Sequence, residues 1–155
     1  MPNVMELQSQ VADIAAIVED VFATMLDMRV EPTERRGEPR SYELTAAVQF
    51  TGENAGSLLL QCNREQAQFF AGRMIPDEAG PFENEMVHDV LGEVANIVGG
   101  NVKSLLSPGG AMSTPIVVAG SDFTAHVWHS GASQILEFSS EAGSFRLTLM
   151  KTTVQ

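Results

Sequence analysis

The sequence predicts an α+β fold in which two long helices and one short helix pack on a mostly antiparallel sheet. Residues 4–28 and 82–106 place apolar side chains at the three- and four-residue spacing of amphipathic helices. Short runs of strand-forming residues, bounded by Gly, Ser, Asp and Pro, predict about six strands, four of them after Ser113. No shift in composition marks a linker, so residues 1–155 are expected to form a single domain.

The predicted elements alternate between helix and strand along the chain. In order they are a long helix, a loop with two prolines and nothing apolar to pack, a hairpin, a short helix, a second long helix and four strands: 4–28, 31–40, 41–50 with 57–62, 64–75, 82–106, and then 115–118, 125–128, 134–138 and 145–150. Pro81 is expected at the start of the second long helix, where its missing N–H is tolerated.

Composition excludes several classes of function. The 155 residues carry nine Lys and Arg against 20 Asp and Glu, a formal net charge of −11, which disfavours binding to nucleic acid or to an anionic membrane. One cysteine cannot form an intramolecular disulfide framework and excludes a Cys-rich zinc module. No signal peptide and no apolar run of membrane-spanning length is recognisable, so a cytoplasmic protein is expected.

The second long helix has one apolar arc and one polar arc. The apolar arc, expected to face the core, contains Val87, Val90, Leu91, Val94, Ile97, Val98, Val102 and Leu105. The polar arc contains Glu85, Asp89, Gly92, Glu93, Asn96, Gly99, Gly100 and Lys103. Because Asp89, Glu93 and Asn96 stand at i, i+4 and i+7, their side chains are expected to form one line on the exposed surface.

Three glycines, Gly92, Gly99 and Gly100, fall on this polar arc. A glycine inside a helix costs about 1 kcal/mol relative to alanine, so a purely structural helix is not expected to contain three of them. Their position predicts that they do not serve packing in the core. They are expected instead to lower the surface around Glu93 and Asn96, so that a partner can approach the helix closely.

A carboxylate and an amide one turn apart are suited to positioning other groups. Neither Glu93 nor Asn96 is an activated nucleophile. An Asn side chain offers both a donor and an acceptor, so it can hold a water molecule and support a phosphoryl oxygen. Phosphoryl transfer requires mainly such positioning and charge stabilisation. Spacing alone favours Glu93 and Asn96 being ordinary solvated helix residues, and it is the glycines and the full motif that favour a functional role.

The run Asp89–Lys103 resembles the signature helix of the CheC/CheX/FliY family of chemotaxis phosphatases. In that signature an Asp or Ser is followed after three residues by Glu, after two more by Asn, and some twenty residues downstream by a proline. Asp89, Glu93 and Asn96 match the first three positions. Pro115, with eighteen residues between it and Asn96, is the candidate fourth. The likeness extends over most of the chain and implies the CheC/CheX-like fold.

The resemblance is greatest to the CheX type, which has one signature per chain. The corresponding positions in the first long helix are Asp13, Ile17 and Asp20, which supply neither the Glu nor the Asn of the signature. One active site per chain is therefore implied.

By resemblance, the family hydrolyses the aspartyl phosphate of CheY, a response-regulator receiver domain, and CheX-type proteins work as homodimers. Asn96 would enter the receiver's active site and orient the attacking water, while Glu93 would pair with the receiver's lysine. Partner contacts are expected from Asp89, Gly92, Gly99 and Gly100. The Mg²⁺ that neutralises the phosphoryl charge would belong to the receiver, so the chain would need no cofactor or metal of its own.

Other polar residues are assigned structural roles. Asn101 falls inside the apolar arc and is expected to be buried and hydrogen-bonded to backbone. Cys62 lies in an apolar strand, where an inert core thiol is expected. His126 and His129 would point to opposite faces of a strand and would not share a metal. A rival function also stays open, namely a non-catalytic scaffold or sensor of the same fold that binds a response regulator.

Overall fold

A computed structural model describes residues 4–34, 42–52, 55–120 and 133–151. Three helices and six strands lie in these ranges. In chain order they are α1 (Val4–Leu26), β1 (Val30–Thr33), β2 (Leu44–Phe50), β3 (Gly56–Cys62), α2 (Arg64–Met74), α3 (Asn84–Leu106), β4 (Ile116–Ala119), β5 (Ser133–Ser140) and β6 (Gly143–Lys151). The α+β class predicted from the sequence is confirmed.

The six strands form one sheet in the order β1-β5-β6-β3-β2-β4, and every neighbouring pair is antiparallel. The predicted hairpin is confirmed, since β2 and β3 pair from Leu44–Cys62 to Phe50–Gly56. Among the strands that the structure describes, β1 and β4 are the two outermost. The sheet therefore places the first half of β2, Leu44–Ala47, and the short strand β4 next to each other, beside the helix that carries the signature residues.

One predicted element is wrong and another lies outside the described residues. Residues 30–33, assigned in part to the loop at 31–40, form edge strand β1, which pairs with β5 from Val30–Ser140 to Thr33–Glu137. Pro32 is tolerated there because an edge strand leaves one side of its backbone without a ladder partner. The predicted strand at 125–128 and both His126 and His129 fall outside the ranges that the structure describes.

Helix α2 has a complete N-terminal cap. Asn63 accepts a hydrogen bond from the backbone N–H of Gln66 at 2.8 Å, and the Gln66 side chain accepts one from the Asn63 N–H at 3.0 Å. This reciprocal pair is a capping box, which satisfies two backbone donors that a helix start would otherwise leave unbonded.

Both ends of α3 are tied to neighbouring elements. Before its first turn, the amide of Gln68 on α2 bonds both backbone groups of Phe82, at 2.7 and 2.8 Å. After its last turn, Ser107 Oγ donates to the carbonyl of Thr51 at 2.9 Å, and the Thr51 N–H donates to the Ala111 carbonyl at 2.9 Å. The position of α3 along the sheet is thus fixed at both ends.

All three helices cover the same face of the sheet. Alternate strand residues, among them Val48, Leu60 and Leu147, join apolar side chains of α1, α2 and α3 in one hydrophobic core. Its centre is aromatic, with the Phe22 and Phe145 rings stacked at 4.8 Å between centroids. The phenyl rings of Phe70 and Phe138 also contact Phe145, at 5.8 and 5.4 Å. Such contacts add to the free energy gained by burying the rings.

The opposite face of the sheet also contains buried side chains, and most of them are polar. The buried polar side chains are Thr45, Ser57, Gln61, Glu137 and Thr148. The carboxylate of Glu137 accepts hydrogen bonds from the Tyr42 hydroxyl and from Arg146 Nε, both at 2.7 Å. The Arg146 guanidinium also lies over the Tyr42 ring, 5.0 Å from its centroid.

Candidate functional site

Helix α3 is buried over more than half of its circumference. Its buried residues are Val87, Val90, Leu91, Gly92, Val94, Ala95, Val98, Gly99 and Val102. The predicted apolar arc is confirmed except at two positions: Ile97 is half-buried, and Leu105 is 40% exposed at the end of the helix. The remaining surface of α3 is a narrow exposed stripe.

Three signature residues lie on this stripe. Asp89 and Glu93 are exposed and Asn96 is half-buried. In the described part of the chain, no hydrogen bond or ion pair involves any of these three side chains. Their spacing places neighbouring side chains about 5–6 Å apart between Cβ atoms. The carboxylate of Glu93 and the amide of Asn96 are therefore both available to groups outside the chain.

The explanation expected for two of the three glycines is wrong. Gly92 and Gly99 are buried, so they do not lower an exposed surface. A Cβ at Gly92 would lie 3.5 Å from Val117 Cγ2, and a Cβ at Gly99 would lie 2.8 Å from Val48 Cγ2. A Cβ at Gly100 would have nothing within 4 Å. The sequence shows where side chains are missing, but not whether the gap faces solvent or the sheet.

The segment Met112–Val117 runs beside α3 in the opposite direction. A Cβ on Gly99 would contact Met112, whereas one on Gly92 would contact Pro115, 3.6 Å from its Cγ. The segment is held against β2, where Ser113 N–H donates to Gln49 O at 2.9 Å. The structure thus places Pro115 beside α3 at Gly92, the residue that precedes Glu93 in the helix.

Negative charge is concentrated in the first half of the α3 stripe. Glu83 and Glu85 precede Asp89 and Glu93, and all four carboxylates are exposed. Acidic groups near a helix N-terminus interact favourably with the helix dipole. After Glu93 the helix contains one charged residue, Lys103. The exposed surface of α3 is therefore negatively charged on the N-terminal side of Asn96 and nearly neutral on its C-terminal side.

The structural assignment of Asn101 is only half correct. Asn101 is exposed, contrary to the prediction that it is buried, because the last turns of α3 are less covered, as the 40% exposure of Leu105 on the same arc also shows. Its side-chain amide donates to the Ile97 carbonyl one turn earlier at 2.9 Å.

The prediction of an inert core thiol is confirmed for Cys62. The side chain is fully buried, and burial, with the nearby Glu43 carboxylate, raises the pKa of the thiol to about 12. A thiol with such a pKa is neutral near pH 7 and therefore a weak nucleophile.

Metal-binding and membrane-spanning features are not found in the ranges described. Those residues contain no group of three or more His, Cys, Asp or Glu side chains that could hold a metal ion, and His88 lies by itself on the flank of α3. None of the helices there is both long and apolar enough to cross a membrane.

The fold and the site define a class of α+β protein in which a helix packed on an antiparallel sheet exposes a carboxylate and an amide side by side. A family model described as "Chemotaxis phosphatase CheX" matches residues 44–139. The chain belongs to the CheX family. None of the curated proteins matches the chain in sequence.

Several solved structures share the fold of this chain. The chemotaxis protein CheX from Vibrio vulnificus is 24% identical, with a TM-score of 0.75 over 92% of this chain and 96% of that one. CheX from Desulfovibrio desulfuricans is 21% identical, with a TM-score of 0.74 over 93% and 99% of the two chains. A complex of CheX, CheY, BeF₃ and Mg²⁺ from Borrelia burgdorferi matches with 19% identity and a TM-score of 0.74, over 93% and 98%.

The sequence did not predict that the segment Met112–Val117 packs along α3 next to the site. It detected Pro115 through the family signature, but not that the segment also packs on Gly99 through Met112. No local pattern reveals this contact, because it joins residues thirteen positions apart across the turn that follows α3.

Proposed function

We propose that this protein is a phosphatase that hydrolyses the aspartyl phosphate of a CheY-like receiver domain. The observation that carries the proposal is that Glu93 and Asn96 stand together, without hydrogen-bond partners in the described part of the chain, on the exposed stripe of α3 in a member of the CheX family. The similar fold of a CheX that is seen in complex with CheY supports the choice of partner.

In the proposed reaction, water attacks the phosphorus atom of the acyl phosphate. The bond between phosphorus and the aspartyl oxygen breaks, releasing the carboxylate and inorganic phosphate. Asn96 orients the water with its side-chain carbonyl oxygen and supports a phosphoryl oxygen with its NH₂ group. Positioning of this kind is the main contribution that proteins make to phosphoryl transfer.

Glu93 is assigned to the receiver's lysine, which its exposed carboxylate can reach as an ion pair. The Mg²⁺ that stabilises the phosphoryl charge is assigned to the receiver domain; the Borrelia complex contains this ion. Asp89 and the other acidic residues of the stripe favour encounter with a basic surface. Gly100, which has open space above it, is assigned to contact with the partner.

Homodimer formation is part of the same proposal. It is supported by the outermost strands of the described sheet, β1 and β4, because a strand edge offers backbone donors and acceptors to a second copy of the chain. Light scattering at micromolar concentration should give twice the mass of the chain, and a monomeric mass would contradict the proposal.

The decisive experiment follows the decay of a phosphorylated CheY-type receiver with Mg²⁺, alone and with this protein. The wild-type protein should accelerate the decay, and Asn96→Ala should lower that acceleration by about 100-fold, as removal of a transition-state hydrogen-bond donor does elsewhere. Glu93→Ala should also reduce it. Binding of the receiver should change little in Asn96→Ala.

Asn101→Ala is the matched control, because Asn101 is an exposed asparagine on the same helix but away from the line of Glu93 and Asn96. It should retain wild-type acceleration. Binding without acceleration by the wild-type protein would favour the rival function, a non-catalytic scaffold or sensor. Equal acceleration by Asn96→Ala would show that the residues are wrongly assigned.

A further inference from the structure

Of the glycines in α3, Gly99 lies closest to the sheet. A Cβ at this position would lie 2.8 Å from Val48 Cγ2 and 3.1 Å from Met112 Sδ. Contacts at 2.8 Å are closer than two carbon atoms approach without repulsion. Since Val48 is fully buried in β2, its side chain has little room to retreat. Glycine therefore allows α3 to lie closer to β2 than any other residue would.

The contact is one turn away from Asn96. Residues at i and i+3 of a helix are neighbours on its surface, so the height of Gly99 above β2 also sets the height of Asn96 beside the segment Met112–Val117. Hydrogen bonds at Phe82 and Ser107 tie the residues that flank α3 to α2 and to Thr51, so a displacement at Gly99 falls mainly on the helix between them. Glu93 and Asn96 lie in that interval.

We propose that Gly99 is a positioning residue for the reaction of Asn96. The inference rests on the proposed phosphatase function. Gly99 touches neither receiver nor water; it acts by seating α3 against Val48, so that the Asn96 amide projects to the height at which the water must be held. Small displacements of catalytic groups have large effects on rate, since productive geometry is required within fractions of an ångström.

The test compares four proteins in the assay of receiver dephosphorylation: wild type, Gly99→Ala, Val48→Ala and the double variant Gly99→Ala/Val48→Ala. The single Gly99→Ala change should lower kcat by about tenfold, with affinity for the receiver within about twofold of wild type. The double variant should recover most of the rate, because Val48→Ala removes the Cγ2 atom that the new Cβ would meet.

Gly72→Ala is the matched control. It is also a glycine-to-alanine change inside a helix, in α2, where the added Cβ would make an ordinary 3.8 Å contact with Phe82. It should leave kcat unchanged. If Gly99→Ala does not fold, Val48→Ile presses on α3 from the sheet without altering the helix, and it should lower kcat as well.

An NMR measurement tests the geometry without requiring activity. The side-chain NH₂ resonances of Asn96 should shift in Gly99→Ala and return toward their wild-type positions in the double variant. Wild-type kcat in Gly99→Ala, or no return of rate and resonances in the double variant, would overturn the inference. If the resonances return in the double variant but none of the four proteins, wild type included, accelerates dephosphorylation, the phosphatase function is refuted and the structural role of Gly99 stands.

Discussion

The two faces of the sheet are buried by different chemistry. The face under the helices is apolar, and four of the phenylalanine rings in its core meet with centroids 4.8–5.8 Å apart. The opposite face holds hydrogen-bonded polar groups instead, chiefly the Glu137 carboxylate with Tyr42 and Arg146, and the Gln61 amide with the Thr45 hydroxyl at 3.2 Å.

The two faces of the sheet therefore differ in how well they tolerate substitutions. Apolar contacts are non-directional, so the helix face can absorb modest alterations of shape except where backbone approaches closely, as at Gly99. Buried hydrogen bonds are directional, and loss of one partner leaves the other desolvated. Glu137 and Arg146 are paired across β5 and β6, so the polar face also favours one register of these strands.

The largest effect on stability is expected from Glu137→Ala on the polar face. The Glu137 and Arg146 side chains are 2% and 12% exposed, with their N and O atoms 2.6 Å apart. Removing one partner of a buried ion pair costs about 3–5 kcal/mol. Urea denaturation measures this loss in the free energy of unfolding.

An exposed ion pair gives the control for that experiment. Arg29 and Glu31 approach to 2.9 Å, but their side chains are 88% and 58% exposed. Glu31→Ala should therefore change the free energy of unfolding by no more than about 1 kcal/mol. Similar losses in both variants would mean that the polar face is not the more sensitive region.

A smaller effect is expected from Phe145→Leu on the helix face. The substitution keeps an apolar side chain and most of its volume, although the contacts with the Phe22 and Phe138 rings are lost. We expect a destabilisation of about 1–2 kcal/mol in urea. A loss as large as that of Glu137→Ala would show the helix face to be equally intolerant.

The smallest effect on the free energy of unfolding at neutral pH is expected from two buried groups that ionise only at high pH. Cys62 lies on the helix face of the sheet and Tyr42 on the opposite face. Burial raises the pKa of the Cys62 thiol to about 12, and burial with the hydrogen bond to Glu137 raises the pKa of the Tyr42 phenol. Above about pH 9 the unfolded chain loses protons that the folded chain retains. The free energy of unfolding should therefore fall as pH rises from 9 to 12.

Two variants divide this pH dependence between the faces. Cys62→Ala should remove the part that begins near pH 9, and Tyr42→Phe should remove the part that begins near pH 10. Chemical denaturation at a series of pH values measures both. A free energy of unfolding that is independent of pH above 9 would contradict the burial of both groups.

Most of the elements, and the line of the candidate site, could be predicted from the sequence. The 3.6-residue period of α3 and the signature at Asp89, Glu93 and Asn96 are local patterns, and local patterns need no knowledge of neighbours. Strand β1 was missed because Glu31 and Pro32 resemble a loop, and only pairing with β5 makes residues 30–33 a strand. Edge strands are stabilised by such distant partners more than by their own composition.

The sequence by itself determined the α+β class, the helical line of Asp89, Glu93 and Asn96, and membership in a recognisable family. Tertiary structure alone decided what the glycines do. Gly92 and Gly99 seat α3 against Pro115, Val117 and Val48, while Gly100 faces open space. The physical reason is that a missing side chain has no pattern of its own, since its role is set by the atoms that the fold brings to the gap.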